Sequence, residues 1–342
     1  MKLLILTQKV DKNDDVLGFF VRWIEEFQKK VEKLSVICLE KGEVETGGAP
    51  IYSLGKERGV SKIKYIQNLF KYIWTLRKEY DTVFVHMNEE YVLLAGLLWK
   101  VLGKKILLWR NHPHGSFKTR VAVFLADKVY CTSAFSFTAS FKKTELMPAG
   151  IDTNFFCREE IKRTPHSLLY LGRISSIKKV ENILEAVCAL PPEYTLNLFG
   201  DKVNKSSEVS YYNKIRKDSS SFEKIGKVVF KGSVPNCQTK DIFNSHEILI
   251  NMTPSGSFDK VILEMMATEG LVLVQNKSFE EIFPTDLRDR LLVKENDTTD
   301  LKEKISYLSS LGEAEKKQIG KRLREIVVRD HSLSLLVQKI VC

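Results

Sequence analysis

A strand, a loop, a helix and a second strand follow one another within residues 248–274, and this run constrains the fold more than any other part of the sequence. The apolar strand pattern of Ile248–Asn251 is broken at Pro254 and Gly256, after which apolar residues recur at helical spacing. A second apolar run, Leu271–Val274, closes the unit. Two strands joined by a helix pair in parallel, so the run predicts part of a parallel α/β sheet.

The loop of this unit has the composition of an anion site. Ser255 or Ser257 is a suitable N-cap for the following helix, and Gly270 a suitable end for it. The free N–H groups of the first helical turn would then point into the loop, where a phosphate fits. An ordinary capped helix with no ligand is the alternative.

A second strand pattern, at residues 168–171, ends in Gly172 and Arg173, and Lys178 follows five residues later. The guanidinium offers a planar fork of donors and the ammonium a compact charge, which are complementary ways of holding phosphate oxygens. This spacing suits a diphosphate. A solvated basic turn is the alternative, and it is the one we favour for Lys179.

Together these two stretches resemble the donor half of GT-B glycosyltransferases of the retaining family 4 type, the glycosyl transferases group 1. In that family a strand ending in Gly-Arg, followed by a Lys, binds the diphosphate of a nucleotide-sugar; Gly172, Arg173 and Lys178 occupy those positions here. Glu264-Met-Met-Ala267 matches the second half of the family's Glu-x7-Glu motif, which implies that Glu264 binds the donor ribose.

The first half of that motif departs from the family pattern. Gly256 stands where the family has a Glu that touches the sugar ring, and Asp259, with Lys260 beside it, is our candidate to replace that carboxylate. The resemblance also places the stretch containing Gly232 and Val234 beside the nucleobase. The donor-binding residues implied in this region are Gly232, Val234, Gly256, Ser257, Phe258, Asp259, Lys260 and Glu264.

The first half of the chain repeats the alternation of strands and helices. Strand patterns occur at residues 2–7, 35–39, 82–86, 105–109 and 128–132, with helical patterns between them. The expected fold class is therefore α/β. The resemblance specifies it as GT-B, with two Rossmann-like doubly wound parallel sheets facing a cleft and a C-terminal helix crossing back to the first domain.

Polar residues follow several of these strands, at the edge where ligands bind α/β sheets. Asp14, Asp15 and Gly18 follow the first strand, and the resemblance places them at the cleft. His112 and His114 follow the strand at 105–109, and the resemblance implies that His112 reaches the donor sugar and diphosphate, with His114 in reserve. His86 is a candidate for the acceptor side, although we favour a structural role for it.

Domain boundaries follow from one motif and one linker. Gly150-Ile151-Asp152 resembles the family's turn at the end of the first domain, and residues 158–164 are charged and poor in apolar side chains. We expect an acceptor-side domain at 1–160, a nucleotide-sugar domain at 161–325 and a bracing helix at 326–342.

Composition agrees with a chain of two domains. With 342 residues, 44% of them hydrophobic, the chain can build two cores. It has no apolar run of the roughly 20 residues that span a bilayer. Its six cysteines show neither close pairing nor metal-ligand spacing, which favours a cytoplasmic location with reduced thiols.

The formal net charge of +10 has three candidate explanations, which are nucleic acid, the anionic donor itself and a membrane surface. The donor needs only a few cations. Nucleic acid is disfavoured because the basic residues are interspersed with acidic ones and no nucleic-acid motif occurs. Residues 60–78 predict a helix with Ile63, Ile66, Phe70, Ile73 and Trp74 on one side and lysines beside them. We expect this stripe to face the core; peripheral contact with an anionic membrane, at its inner face, is the alternative.

Other chemistries lack their motifs. The sequence has no Gly-x-Gly-x-x-Gly, no P-loop, no Gly-x-Ser-x-Gly and no Asp-x-Asp. The last absence suits a metal-independent GT-B enzyme without cofactor, the nucleotide-sugar being a co-substrate. Arg173, Lys178 and the helix N-terminus near Ser257 would stabilise the departing diphosphate. The expected catalytic residues are His112, Arg173, Lys178 and Asp259.

The predicted function is that of a retaining hexosyltransferase that moves a sugar from a nucleotide-sugar to a glycan or lipid-linked acceptor, retention being implied by the resemblance alone. A nucleotide-sugar epimerase or hydrolase of the same fold is the alternative among enzymes. A noncatalytic, glycosyltransferase-like binding protein is the alternative from another class, motivated by Gly256. The sequence leaves the base, the sugar and the acceptor open.

Overall fold

A computed structural model describes residues 1–44, 47–255 and 258–342, which form two compact units. Unit 1 comprises Met1–Gly150, Pro235–Cys237 and Leu333–Cys342, and unit 2 comprises Ile151–Val234 and Gln238–Ser332. The main divisions thus fall after residues 150 and 332, whereas the sequence placed them after 160 and 325.

Unit 1 is built on a parallel sheet of seven strands. In chain order these are β1 (Lys2–Val10), β2 (Lys33–Lys41), β3 (Ile51–Ser53), β4 (Thr82–His86), β5 (Lys105–Trp109), β6 (Lys128–Cys131) and β7 (Thr144–Leu146). They lie in the order β3-β2-β1-β4-β5-β6-β7. The central strands are buried on both faces, as a parallel sheet requires.

Helices cover both faces of this sheet. They are α1 (Phe19–Lys30), α2 (Lys62–Thr75), α3 (Glu90–Val101), α4 (Phe117–Leu125) and the last helix of the chain, α13 (Leu333–Val341). Buried side chains of α1 and α13 share one apolar cluster, and those of α2, α3 and α4 share the other. Thus α1 and α13 cover one face, and the other three helices cover the opposite face.

The expectation that the apolar stripe of α2 faces the core is wrong for three of its five residues. Ile63 is 70% exposed, Ile66 40% and Trp74 53%, whereas Ile73 is fully buried, next to Leu69 on the sheet side. Ile63 and Trp74 form a second apolar stripe beside that of Leu69 and Ile73, and a helix resting on a sheet buries only one stripe. Ile66 lies on the side of Ile73 but two turns nearer the start of the helix, where it is less covered.

Unit 2 is built on a parallel sheet of five strands. These are β8 (Ser167–Leu171), β9 (Thr195–Phe199), β10 (Val228–Gly232), β11 (Ile248–Asn251) and β12 (Leu271–Val274), in the order β10-β9-β8-β11-β12. Its helices are α5 (Val180–Cys188), α6 (Ser206–Asp218), α7 (Ser220–Lys224), α8 (Thr239–Ser245), α9 (Lys260–Ala267), α10 (Thr285–Leu291), α11 (Thr298–Ser310) and α12 (Glu313–Asp330).

Both sheets have a point where the chain reverses its direction of travel across the sheet. In unit 1 the strands step from β1 out to β3, and the chain then returns to β4 on the other side of β1. In unit 2 the same reversal lies between β8 and β11. Loops that leave the carboxyl ends of two such strands diverge and leave a crevice, which is where doubly wound sheets bind ligands.

The expected fold class is confirmed: the chain is α/β, with two doubly wound parallel sheets and a last helix that packs into the first unit. Strands β3 and β7 were not predicted, since three residues are too few to show a period. Within the described ranges, no helix combines the length and the apolar character needed to cross a bilayer.

Candidate functional site

The reversal point of unit 2 begins where β8 ends, at Gly172. There the backbone of Gly200, which follows β9, passes so close that a Cβ on Gly200 would lie 1.9 Å from the carbonyl oxygen of Gly172. Both glycines have positive φ, 151° and 145° respectively. The two strand ends therefore approach more closely than side chains at these positions would permit.

The turn that carries Lys178 is fixed by helix α6. Ser176 donates from its N–H and its hydroxyl to the carboxylate of Glu208, both at 2.8 Å. The N–H of Val180, the first residue of α5, donates to the hydroxyl of Tyr211 at 3.0 Å. These supports are not predictable from local sequence, because α6 lies about thirty residues further along the chain.

Lys178 joins this turn to the loop between β11 and α9. Its Nζ lies 2.6 Å from Oδ1 and 2.6 Å from Oδ2 of Asp259. Both side chains are largely buried, with 14% and 16% of their surfaces exposed. The structure thus brings together two residues that the sequence analysis placed in one site, and it pairs them directly.

The carboxylate of Asp259 has two further donors. Asn251 Nδ2 and Thr253 Oγ1 both donate to its Oδ2, at 2.8 and 2.7 Å. Counting both contacts of Lys178, the carboxylate accepts four hydrogen bonds, about the number its lone pairs allow. The sequence analysis assigned no role to Asn251 and Thr253, although polar residues directly after a buried strand are a recognisable signal.

These contacts keep Asp259 ionised. Burial alone would raise the pKa of this carboxyl group, but the charge of Lys178 and the hydrogen bonds from Lys178, Asn251 and Thr253 outweigh burial and leave the pKa below its ordinary value. Asp259 is therefore a carboxylate at neutral pH.

Arg173 differs from Lys178 in being exposed. Its carbonyl oxygen accepts a hydrogen bond from the hydroxyl of Tyr170 at 2.7 Å, which fixes the backbone at the end of β8. Within residues 1–44, 47–255 and 258–342, its guanidinium makes no hydrogen bond or ion pair. The site thus offers one restrained ammonium and one unrestrained guanidinium.

Helix α9 begins later than the sequence suggested. Its first residue is Lys260 and its N-cap position is Asp259, so the expected serine N-cap is wrong. The hydroxyl of Ser255 instead accepts the N–H of Lys277 at 3.0 Å. Gly256 and Ser257, two of the expected donor-binding residues, lie outside the described residues.

The end of α9 also differs from expectation. The helix ends at Ala267, and the left-handed residue after it is Glu269, with a φ of 60°, rather than Gly270. Gly270 is needed for space, because a Cβ there would lie 2.3 Å from the methyl carbon of Met265.

The remaining donor-side candidates lie at defined places in unit 2. Glu264 is a buried residue of α9, and the ring of Phe258 stacks on that of Phe279 with centroids 5.3 Å apart. Gly232 ends β10 with a φ of 74° and its carbonyl accepts the N–H of Gly200 at 2.8 Å, while Val234 is half-buried.

The carboxyl edge of unit 1 carries a charged pair of its own. Arg110 Nε lies 2.5 Å from Oε2 of Glu89, and both side chains are nearly buried. Arg110 also donates to the carbonyl oxygen of His114 at 3.0 Å, and Thr119 donates to Glu89 at 2.9 Å. Glu89, to which the sequence analysis gave no role, therefore organises the loop that carries both histidines.

His112 folds back on this loop. Its Nδ1 lies 3.0 Å from both the backbone N and the carbonyl O of His114, so this nitrogen bonds the backbone in either tautomer of the ring. Nε2 is the ring nitrogen with no partner in the part of the chain that the structure describes. Both histidines are exposed.

The other expected residues of unit 1 differ in their surroundings. His86 is buried, with its ring centroid 4.4 Å from that of Phe20 and its Nδ1 3.3 Å from the hydroxyl of Thr7. Asp15 is exposed, and Gly18 is buried at the start of α1.

Asp14, the neighbour of Asp15, holds the loop after β1 together. Its Oδ1 accepts the N–H groups of Val16 and Leu17 at 2.9 and 2.6 Å, and its Oδ2 lies 2.9 Å from Nζ of Lys9. Burial raises the pKa of Asp14, yet these partners outweigh burial and lower the pKa overall. Gly18 completes the turn, since a Cβ there would lie 2.5 Å from the carbonyl oxygen of Asp14.

A cavity of about 530 Å³ lies at the opposite edge of the unit 2 sheet. Its lining includes Arg163, Glu247 and Lys316, and Glu247 directly precedes β11. This edge holds the amino ends of the strands, so the cavity is separate from the loops that carry Arg173 and Lys178.

Comparison with known proteins agrees with this architecture. Residues 173–341, just under half of the chain, match a family model described as glycosyl transferase-like. No curated protein is significantly similar to the chain in sequence.

Solved structures match over nearly the full length. The Anabaena protein HepE, solved with UDP and glucose, is 16% identical over 99% of this chain and 98% of its own, with a TM-score of 0.78. Sucrose-phosphate synthase from Thermosynechococcus elongatus is 14% identical over 99% and 97%, with a TM-score of 0.74. The lipopolysaccharide outer core galactosyltransferase WaaB is 14% identical over 100% and 99%, with a TM-score of 0.68. Residues 173–341 are therefore similar in sequence to glycosyl transferase-like proteins, and the chain has the GT-B fold of these solved structures.

Proposed function

We propose that the protein is a retaining glycosyltransferase that transfers a hexosyl group from a nucleotide-sugar to a hydroxyl of a glycan or lipid-linked acceptor. In this proposal it works in the cytoplasm, and cationic side chains rather than a metal ion bind the donor diphosphate. The observation that carries the proposal is the Lys178–Asp259 pair at the reversal point of unit 2, close in sequence to the exposed Arg173.

The geometry of Lys178 suits a diphosphate ligand. An ammonium group carries three hydrogens, and the contacts with the two oxygens of Asp259 use two of them. The third remains for a phosphate oxygen, so the donor need not displace Asp259. Asp259 would then orient Lys178. For Asp259 to contact the sugar, its carboxylate would have to give up one of the four hydrogen bonds that it accepts.

Transfer breaks the bond between the anomeric carbon and the diphosphate oxygen, and the leaving diphosphate takes the electron pair. The acceptor oxygen bonds to the anomeric carbon, and its proton passes to the released diphosphate. Arg173 and Lys178 would stabilise that developing negative charge, with the guanidinium binding two oxygens through its planar fork. Since Asp259 holds Lys178 before the reaction, Lys178 needs little reorganisation as the bond breaks.

The structural relatives guide the choice of probes. HepE has been solved with UDP and with UDP-glucose, so UDP-sugars are the first donors to test. The relatives named above include a lipopolysaccharide galactosyltransferase and a sucrose-phosphate synthase, whose names imply unlike acceptors. Acceptors of both chemical types therefore belong in the screen.

The test is release of nucleoside diphosphate from a panel of nucleotide-sugars, with and without an acceptor extract. We expect the acceptor to stimulate release of the nucleoside diphosphate. In Arg173→Ala and Lys178→Ala, kcat/KM should fall about 100-fold or more, because each variant removes a hydrogen-bond donor to the charge on the leaving group. Lys214→Ala, which removes an exposed lysine of α6, is the matched control. Donor binding without turnover, unchanged in the Arg173 and Lys178 variants, would instead support a noncatalytic binding protein.

Three further measurements separate the finer parts of the proposal. The anomeric configuration of the product, read by NMR, tests retention. Activity after treatment with EDTA tests the proposed independence from metal. Release without acceptor, or conversion of the donor into its epimer, would identify a hydrolase or an epimerase.

A further inference from the structure

The outer side of helices α2, α3 and α4 exposes a group of large apolar side chains. Its members are Ile63, Ile66 and Trp74 of α2, Leu94, Leu97 and Val101 of α3, and Phe117 and Phe124 of α4, which are 40 to 85% exposed. We call this the α2–α4 surface. Contiguous exposed apolar patches on soluble domains commonly mark interaction sites.

In α3 and α4 these residues lie opposite the buried ones, and in α2 they lie to one side of Leu69 and Ile73. In α3 the buried residues include Val92, Ala95 and Trp99, while Leu94, Leu97 and Val101 recur at intervals of three and four residues on the opposite side. A helix that is apolar on both sides is normally buried on both sides. The sheet covers one side of α3, so its other side needs a partner.

The helices pack as one layer, which makes the surface continuous. Buried residues of α2, α3 and α4 belong to a single apolar cluster against the sheet, and α3 packs directly on α4. Helix α2 packs against β2, and α3 packs against β5 on the other side of β1. The exposed apolar residues of the three helices therefore lie on the same side of the unit 1 sheet.

The charges around this surface identify the kind of partner. The three helices carry six basic residues and one acidic residue. Lys64 and Lys71, seven residues apart, are exposed on one side of α2, and Lys78, also exposed, lies in the turn after the helix. The Arg77 guanidinium lies 4.5 Å from the centroid of the Trp74 ring. Apolar and aromatic side chains flanked by basic ones match the interface of an anionic bilayer.

We infer that the α2–α4 surface binds the surface of an anionic phospholipid membrane, with the apolar residues entering the interface and the lysines contacting lipid headgroups. A second copy of the chain fits this surface less well, because a symmetric contact would bring the lysines of both copies together. This inference goes beyond the proposed transferase activity and does not depend on it.

The test is flotation of the full-length protein with vesicles of phosphatidylcholine alone and with about 30% phosphatidylglycerol, a composition that supplies anionic headgroups. We expect binding to the anionic vesicles at low salt and weaker binding at high salt, which screens the lysines. Absence of binding to anionic vesicles at low salt would overturn the inference.

Two variants test the apolar residues and the lysines of the surface separately. Trp74→Gln/Leu97→Gln/Phe124→Gln removes apolar groups, and Lys64→Gln/Lys71→Gln/Lys78→Gln removes charges. Each basic residue near an anionic surface raises the affinity for it about fivefold, so the lysine variant should bind about 100-fold less tightly. The apolar variant should bind at least about tenfold less tightly. All six side chains are exposed, so the thermal midpoint should change little.

Matched controls lie on unit 2. Ile225→Gln removes an apolar residue that is 70% exposed, and Lys214→Gln/Lys217→Gln/Lys317→Gln removes three exposed lysines. Both should bind like the original protein. Equal loss in these controls, or unchanged binding in the surface variants, would contradict the inference. So would a dimer in sedimentation velocity that the apolar variant dissociates.

Discussion

At the scale of single residues, Asp259 determines how Lys178 is presented. The carboxylate holds the ammonium with both oxygens and is itself held by Asn251 and Thr253, so Lys178 is fixed in position but keeps a hydrogen for a ligand. An unpaired lysine would sample many rotamers, and ordering it on ligand binding would cost free energy.

Asp259→Asn tests this arrangement through stability. Removing one partner of a largely buried pair leaves the other charge uncompensated, and we expect a loss of about 2 kcal/mol in the free energy of unfolding at pH 7. Because the pKa of Asp259 is lower in the folded chain, its contribution is complete above about pH 4, the ordinary pKa of Asp, and is lost as the pH falls further.

Urea unfolding of both proteins at pH 7, 5 and 3.5 measures this. The difference in the free energy of unfolding between the original protein and the variant should be the same at pH 7 and pH 5 and smaller at pH 3.5. Asp289→Asn, which changes an exposed carboxylate of α10, is the control and should have little effect at any of these pH values. A difference that persists unchanged at pH 3.5 would show that Asp259 does not act through its charge.

Gly200→Ala tests the approach of two backbone segments at the same site. The new methyl group would lie 1.9 Å from the carbonyl oxygen of Gly172, and backbone atoms cannot yield as a side chain can. We expect a loss above about 3 kcal/mol in the free energy of unfolding. Gly226→Ala is the matched control, because Gly226 also has positive φ, 74°, but no atom lies within 4 Å of its Cβ position.

The control should cost only about 1 kcal/mol, the usual penalty of a left-handed residue with a side chain. Denaturant unfolding of the two variants separates the steric from the conformational effect. Similar losses in both would mean that the strand ends can move apart.

At the scale of elements, α13 completes unit 1 although its sequence follows unit 2. Its buried residues Leu333, Leu336, Val337 and Ile340 join the apolar cluster formed by α1 and the sheet. Trp23 of α1 donates from its indole N–H to the carbonyl oxygen of Gly150 at 2.9 Å, and a Cβ on Gly150 would lie 2.4 Å from Leu336.

Leu336→Ala should therefore destabilise unit 1, by about 3 kcal/mol for a fully buried leucine that leaves a cavity. Hydrogen exchange should speed up in α1 and β1, while amides of β8 and β11 should change little. Leu97→Ala, at an exposed leucine of α3, is the control and should change the free energy of unfolding by no more than about 0.5 kcal/mol. Faster exchange confined to unit 2 would contradict the assignment of α13 to unit 1.

At the scale of the whole molecule, a ligand that binds only the folded chain stabilises it by mass action. UDP at 100 times its Kd should raise the free energy of unfolding by about 2.7 kcal/mol. If Arg173→Ala weakens binding tenfold, the same UDP concentration should give about 1.4 kcal/mol. Thermal unfolding with and without UDP, on both proteins, measures this difference.

Hydrogen exchange in the same samples locates the ligand. Protection should appear at residues 172–180 and 251–255, the two loops at the reversal point of unit 2. Protection confined to the residues lining the cavity at the amino edge, such as Glu247 and Lys316, would place the ligand elsewhere and contradict the proposed site.

The sequence by itself determined the parts of this protein that depend on local patterns. Buried strands such as β4, β5, β11 and β12 are continuous apolar runs bounded by turn residues, and their bounds were predicted to the residue. The alternation of strands and helices then limits the sheet to parallel pairing, and the Gly-Arg and Glu-Met-Met-Ala motifs identified the family of folds.

The tertiary structure alone decided which of these residues meet. The pairing of Lys178 with Asp259 joins residues 81 apart, and the supports from Glu208 and Tyr211 come from a helix beyond the next strand. It also decided which of the two apolar stripes of α2 the sheet covers. Periodicity reports that a side chain is apolar, but burial depends on which surface another element occupies, and that is a property of the folded chain.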